Sequence, residues 1–137
     1  MKVIAVDYGS ARTGVAVSDP SGTIARPLGV VERAGGEAGL NRLVELIRAE
    51  EAERVVVGLP LTLRGERGAQ AQETETFVEA LRAAVDVPVE SFDERFTTRL
   101  ARAGPGDSPP DLSEPDDARA AAHLLSSYLA WSSGRRK

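Results

Sequence analysis

The chain reads as an α/β protein built on a five-stranded mixed sheet flanked by helices. Three observations predict this. Short runs rich in valine and isoleucine stop at glycine, proline or aspartate; the later runs alternate with amphipathic stretches of helical period; and the first runs follow one another with only turns between. The order βββ-α-β-α-β-α-α implies three antiparallel strands followed by two parallel ones. At 137 residues the chain is expected to form one domain over residues 1–137, long enough for a real core.

Residues 2–8 read as a buried strand, 13–18 (TGVAVS) as a second, and about 23–31 (TIARPLGVV) as a third. Gly9 and Gly14 flank a tight connection, which makes the first two strands an antiparallel hairpin. Pro27 interrupts the third strand, and proline donates nothing to a ladder, so this strand belongs at an edge. Leu40, Leu43, Val44 and Ile47 recur at helical spacing and predict a helix from about 37 to 51. RVVVGLP supplies a fourth strand at 54–58, stopped by Gly58 and Pro60. The loop TLRGERGAQ leads to a second helix at roughly 70–84, with Phe77, Val78, Leu81 and Val85 inward. Residues 87–92 (VPVESF) form the fifth strand. Thr97 or Thr98 caps a short helix ending before Gly104, GPGDSPPDLSEP is a proline- and glycine-rich loop, and a last helix runs from about 114 to 131.

Composition narrows the chemistry. There is no cysteine, hence no disulfide framework and no thiolate metal site, which leaves carboxylates as the metal ligands to look for. Aromatic residues make up 4% of the chain, too few for a base-stacking platform. The net charge of −4 argues against duplex binding by the whole surface, although Lys2 and Lys137 are the only lysines and the other cations are arginines suited to phosphate. No apolar run approaches the roughly 18 residues of a membrane span, and Met1-Lys2 leads straight into strand-like sequence with no room for a signal peptide. The expectation is a cytoplasmic protein with no membrane partner.

The stretch VIAVDYGSARTGVAVSD ends a buried strand in Asp7, a poor choice for stability unless the carboxylate is paired or holds something. A turn-capping aspartate that accepts N–H bonds from residues 9–11 is the competing account. In open sheets ligands gather beyond the carboxyl ends of the parallel strands, where strand one delivers Asp7, strand four Gly58 and strand five Asp93-Glu94. Asp93 and Glu94 point opposite ways if the strand persists, and the residues alone do not choose between them. On the last helix, Ser113 and Asp116 suffice as a capping pair. Asp117 instead shares a face with Ala121, Leu124 and Tyr128, the face that packs inward. Three carboxylates meeting at one point repel unless a cation lies between them, and Mg²⁺ or Mn²⁺ with oxygen ligands answers that need. Two such ions about 4 Å apart can activate a water and stabilise the departing 3′-oxygen of a phosphodiester.

With these residues in place the chain resembles the YqgF/RuvX family of the ribonuclease H superfamily, the pre-16S rRNA nuclease or Holliday-junction-resolvase-like proteins. The resemblance is carried by AVDYGSARTGVAVSD (5–19), VVVGLPL (55–61), FDERFTT (92–98) and DARAAAHLLSSYL (117–129). It implies a ribonuclease H-like fold and metal-dependent cleavage of nucleic acid, with Asp7, Glu94 and Asp117 as catalytic residues and metal ligands. It favours Glu94 over Asp93. Thr62-Leu63-Arg64 replaces the Asn-Met-Asp-like run usual after GLPL, and the loop at 104–115 lacks the usual cations.

A polyanion would then meet a rim made by Arg12 in the first turn, Arg64 and Arg67 after strand four, and Arg95, Arg99 and Arg102 after strand five. Each arginine taken singly also fits a solvated surface. His123, the only histidine, falls off the Asp117–Tyr128 stripe and reads as peripheral, and Trp131 reads as packing the helix end. Branched DNA and precursor rRNA are both expected substrates. Resolving a DNA junction needs two symmetric nicks and hence a homodimer, whereas trimming an rRNA precursor does not. The alternatives are a non-catalytic nucleic-acid-binding or ribosome-assembly factor, and an actin-like ATPase or sugar kinase fragment. The second is disfavoured because such proteins close two such domains around the nucleotide.

Overall fold

The computed structural model describes residues 1–61, 64–94 and 116–135. Its elements, in chain order, are β1 (Val3–Asp7), β2 (Arg12–Ser18), β3 (Ala25–Glu32), α1 (Glu37–Ala49), β4 (Arg54–Leu59), α2 (Ala69–Ala84), β5 (Val89–Asp93) and α3 (Asp116–Arg135). The strands form one sheet in the order β3-β2-β1-β4-β5. β1 is antiparallel to β2 and β2 to β3, while β1–β4 and β4–β5 are parallel.

Alternation along the strands divides the sheet into two unlike faces. Ile4 and Val6 of β1, Val15 and Val17 of β2, and Val55 and Val57 of β4 pack with Leu43, Val44 and Ile47 of α1 and Phe77, Val78 and Leu81 of α2. The intervening residues Val3, Ala5, Ala16, Val56 and Phe92 pack with Ala121, Leu124, Leu125, Tyr128 and Leu129 of α3. Among the described residues, two helices therefore cover one face and a single helix the other. Burying side chains such as Leu43 and Leu81 completely contributes roughly 1.5–3 kcal/mol each.

Strand and helix types follow the sequence reading, and the boundaries differ for local reasons. β3 lies at the sheet edge as Pro27 requires, and the register slips where Val15 pairs Gly29 but Ala16 pairs Pro27, so Leu28 is bulged out. β5 begins at Val89 because Pro88 has no N–H; its carbonyl accepts the Val55 N–H at 2.9 Å instead. α1 stops at Ala49, and the chain leaves it through Glu51 in the left-handed region (φ 54°). α3 runs on to Arg135, past the expected end at 131. The short helix after Thr97, the loop at 104–115 and the Ser113 cap lie outside the described residues. Among the described residues, no helix is long and apolar enough to cross a membrane.

Candidate metal centre and nucleic-acid edge

Asp7 is the last residue of β1, and its neighbours on either side are glycines. The antiparallel register pairs Asp7 with Gly14 of β2. The parallel register pairs Val6 with Val57, which brings Gly58 level with Asp7 on β4. Strands lie about 4.8 Å apart, so Gly14, Asp7 and Gly58 form a row about 10 Å wide across the sheet's carboxyl edge. All three fall on the α3 face, in step with Val3, Ala5, Ala16 and Val56.

Each glycine seats one of the other acidic residues. A Cβ at Gly14 would lie 1.8 Å from the Asp117 carbonyl oxygen, so the absence of a side chain is what lets the first turn of α3 rest on β2. A Cβ at Gly58 would meet Glu94 Oε1 at 2.7 Å and Leu124 Cδ2 at 3.0 Å, so the Glu94 side chain folds back over β4. The sequence reading puts Gly14 at the rim of the hairpin turn. Here it is the third residue of β2, and its work is contact with α3. The turn itself is closed by Thr13, fully buried, whose hydroxyl donates to the Gly9 carbonyl at 3.2 Å and accepts the Gly9 N–H at 3.3 Å.

β5 separates the two acids that sequence leaves open. Phe92 pairs Gly58 and packs against α3. Glu94, two residues further on, falls on that same face, whereas Asp93 pairs Leu59 and alternates to the α1/α2 side. Glu94 therefore shares a face with Asp7, and Asp93 does not.

The carboxylate of Asp117 is engaged by Arg12, Nε to Oδ2 at 3.2 Å, with side chains 57% and 40% exposed. At that exposure the pair contributes about 0–1 kcal/mol, so its interest is positional. Among the described residues, no three acidic or histidine side chains are gathered closely enough to hold a metal ion. The donors nevertheless suit a hard cation: carboxylates on one face of one edge, with two of the acids seated on glycines.

The remaining expected site residues scatter. Arg67 Nε pairs Glu75 Oε1 of α2 at 3.3 Å, and Arg64 is exposed on the same loop. Arg95, Arg99 and Arg102 lie outside the described residues. His123 is half-buried on α3, and Trp131 packs edge-on to Phe92 at 5.5 Å, as the helix-end reading expects. Tyr8, directly after Asp7, turns to the other face, stacks on Phe77 at 4.4 Å and donates to Glu73 at 3.2 Å. Burial first, and the Glu73 carboxylate second, push its phenol above the ordinary tyrosine value. A cavity of about 180 Å³ lined by Met1, Val3, Gly22, Tyr128 and Leu129 lies at the opposite edge of the sheet from the acids.

Sheet order, strand directions and helix placement define a ribonuclease H-like fold, and comparison with solved structures agrees. RuvC of Thermus thermophilus in complex with a Holliday junction substrate superposes with a TM-score of 0.66 at 18% identity, over 98% of this chain and 96% of that one. The fowlpox virus Holliday junction resolvase does so with a TM-score of 0.53 at 13% identity, over 95% and 99%. These likenesses concern the fold. The family is given by sequence: residues 1–131 match the RuvX family model, described as Holliday junction resolvase, and the chain belongs to that family. Candidate pre-16S rRNA nucleases are similar along most of its length. That of Chloroflexus aurantiacus is 40% identical over 93% of this chain and 85% of its own, and that of Syntrophomonas wolfei 37% identical over 94% of both.

Proposed function

We propose that the chain is a divalent-metal-dependent nuclease that cuts phosphodiester bonds in structured nucleic acid, with Asp7, Glu94 and Asp117 as its acidic set. The observation that carries this reading is the row Gly14–Asp7–Gly58, with Asp117 and Glu94 resting on the two glycines. Stability gives no reason to spend side-chain-free positions on seating acids beside a third acid. Family membership and the nuclease names of its relatives support the same conclusion.

Asp7, Glu94 and Asp117 would hold Mg²⁺ or Mn²⁺. When bound, such an ion supplies charge stabilisation to the phosphate and lowers the pKa of a coordinated water. The protein's own part is orientation: Asp7 fixed by the ladder, Glu94 folded over Gly58, and Asp117 carried by the docked end of α3. Arg12 and Arg64 then offer contacts to the phosphate backbone, which position the strand without reading its sequence. Arg67 contributes if it releases Glu75. Branched DNA and the 5′ end of precursor 16S rRNA are the two substrates proposed. Cutting a junction symmetrically requires a second copy of the chain. A cytoplasmic location suits both.

A second reading is a non-catalytic binder of nucleic acid or assembling ribosomes. It is favoured by one observation, the engagement of the Asp117 carboxylate with Arg12. One experiment separates the two. A labelled four-way DNA junction and a labelled precursor rRNA are offered to purified protein with Mg²⁺, Mn²⁺ or chelator. Metal-dependent cutting of one of them, lost in Asp7→Asn, Glu94→Gln and Asp117→Asn, is expected. Intact cutting by all three variants, or binding without cutting by the parent, overturns the proposal.

A further inference from the structure

We infer that Arg12 is a stand-in cation for the acidic edge: its guanidinium holds Asp117 while no divalent ion is bound and must be displaced when one enters. The inference rests on the metal-centre reading above and goes further by naming what the ion competes with. Arg12 opens β2 and is two residues from Gly14, so it lies on the same face as the glycine that seats Asp117. Its Nε is 3.2 Å from Oδ2 of Asp117. No side chain intervenes between Gly14 and the start of α3, so the helix end sits directly beside the strand bearing Arg12.

Carboxylates that share one strand edge repel as they approach and are eased by a counter-charge, and at Asp117 Arg12 supplies one from within the chain. The arrangement has a cost for ion binding. A divalent ion taking Asp117 as a ligand must break the guanidinium contact and tolerate a fixed positive charge nearby. Arg12 is thus a positioning residue with a definite sign: it steadies Asp117 in the ion-free protein and weakens affinity for the ion. Once released, the same guanidinium is free at the site's rim, where a phosphate is its natural partner.

The test is Mn²⁺ binding to the full chain without nucleic acid, followed by electron paramagnetic resonance and by the ion-induced rise in melting temperature. Arg12→Gln is expected to bind Mn²⁺ about three- to tenfold more tightly than the parent. It should also melt slightly lower without ion, with a larger ion-induced rise. Arg12→Lys keeps the charge and should lie between the two. Arg42→Gln makes the same charge change on the exposed side of α1, across the sheet, and is expected to leave the affinity unchanged. If Asp7→Asn and Asp117→Asn weaken Mn²⁺ binding but Arg12→Gln leaves it equal or weaker, the stand-in role is wrong and the metal centre stands. An equal gain in Arg42→Gln overturns it too, by showing a general charge effect. If the parent binds no Mn²⁺, or binds it regardless of Asp7 and Asp117, the metal-centre reading fails and takes this inference with it.

Discussion

The two faces of the sheet are made by alternate residues of the same strands, yet they are built for different ends. Toward α1 and α2 the strands present Ile4, Val6, Val15, Val17, Val55 and Val57, all fully buried. Toward α3 the same strands present Val3, Ala5, Gly14, Ala16, Val56 and Gly58, and then Asp7 at the rim. Bulk on one face fills space between layers. Small residues on the other bring a helix close enough for its first turn to reach the strand edge. The lesson is that one face can be filled with bulky aliphatics while its reverse admits a helix at close range, because a strand's period of two keeps the two sets independent.

The largest expected contrast comes from one substitution on each face. Asp7→Asn keeps the size of the side chain and is expected to reduce metal-dependent cleavage roughly 100-fold or more, with little change in melting temperature. Leu81→Ala is expected to cost about 2–5 kcal/mol of unfolding free energy while the folded fraction retains its cleavage rate. Denaturant melts and initial rates on the same samples check both, and a Leu81→Ala protein with normal stability would break the division of labour. A sharper probe stays on the α3 face. Gly14→Ala drives a methyl group into the Asp117 backbone carbonyl, which cannot swing aside as a side chain would, and is expected to cost about 1–3 kcal/mol and most of the Mn²⁺ affinity. Gly58→Ala meets mainly the flexible Glu94 and Leu124 side chains, so it should cost less stability while still weakening ion binding.

The smallest effect belongs to a turn remote from both packed faces. Asp19 accepts N–H bonds from Ile24 at 2.8 Å and Thr23 at 2.7 Å and a bond from the Ser21 hydroxyl, and these hold its carboxyl well below the usual carboxylate range. A folded value below the unfolded one means stability that is present above about pH 3.8 and is lost as the pH falls further. Asp19→Asn should therefore lower the melting temperature slightly at pH 7 and flatten its decline in acid, as thermal melts from pH 7 to 3 would show.

Much of this was legible in the sequence, because strands of period two and helices of period 3.6 write their buried faces directly. The hairpin places Asp7 opposite Gly14 once its turn is centred between Gly9 and Arg12, so even that pairing lay within reach. Asp93 and Glu94 stayed open because alternation fixes only opposition; which of them joins Asp7 depends on Phe92 pairing Gly58 across β4. The Arg12–Asp117 contact was out of reach for a similar reason. It joins residues more than a hundred positions apart, and only the seating of α3 on Gly14 brings them together. Gly58 looked like a strand terminator and is instead the floor under Glu94.

That seating ties the assembly of the acidic edge to a contact between segments more than a hundred residues apart. Asp117 is brought to Gly14, the β2 partner of Asp7, by the docking of α3, and the α1/α2 layer does not depend on that helix for its own aliphatic contacts. An excursion that lifts the first turn of α3 would disperse the carboxylates while the opposite layer stayed packed. Amide protons at the start of α3 should then exchange faster than those of β1 and β4, and the persistence of the site would be governed by that local opening and not by the melting of the whole molecule.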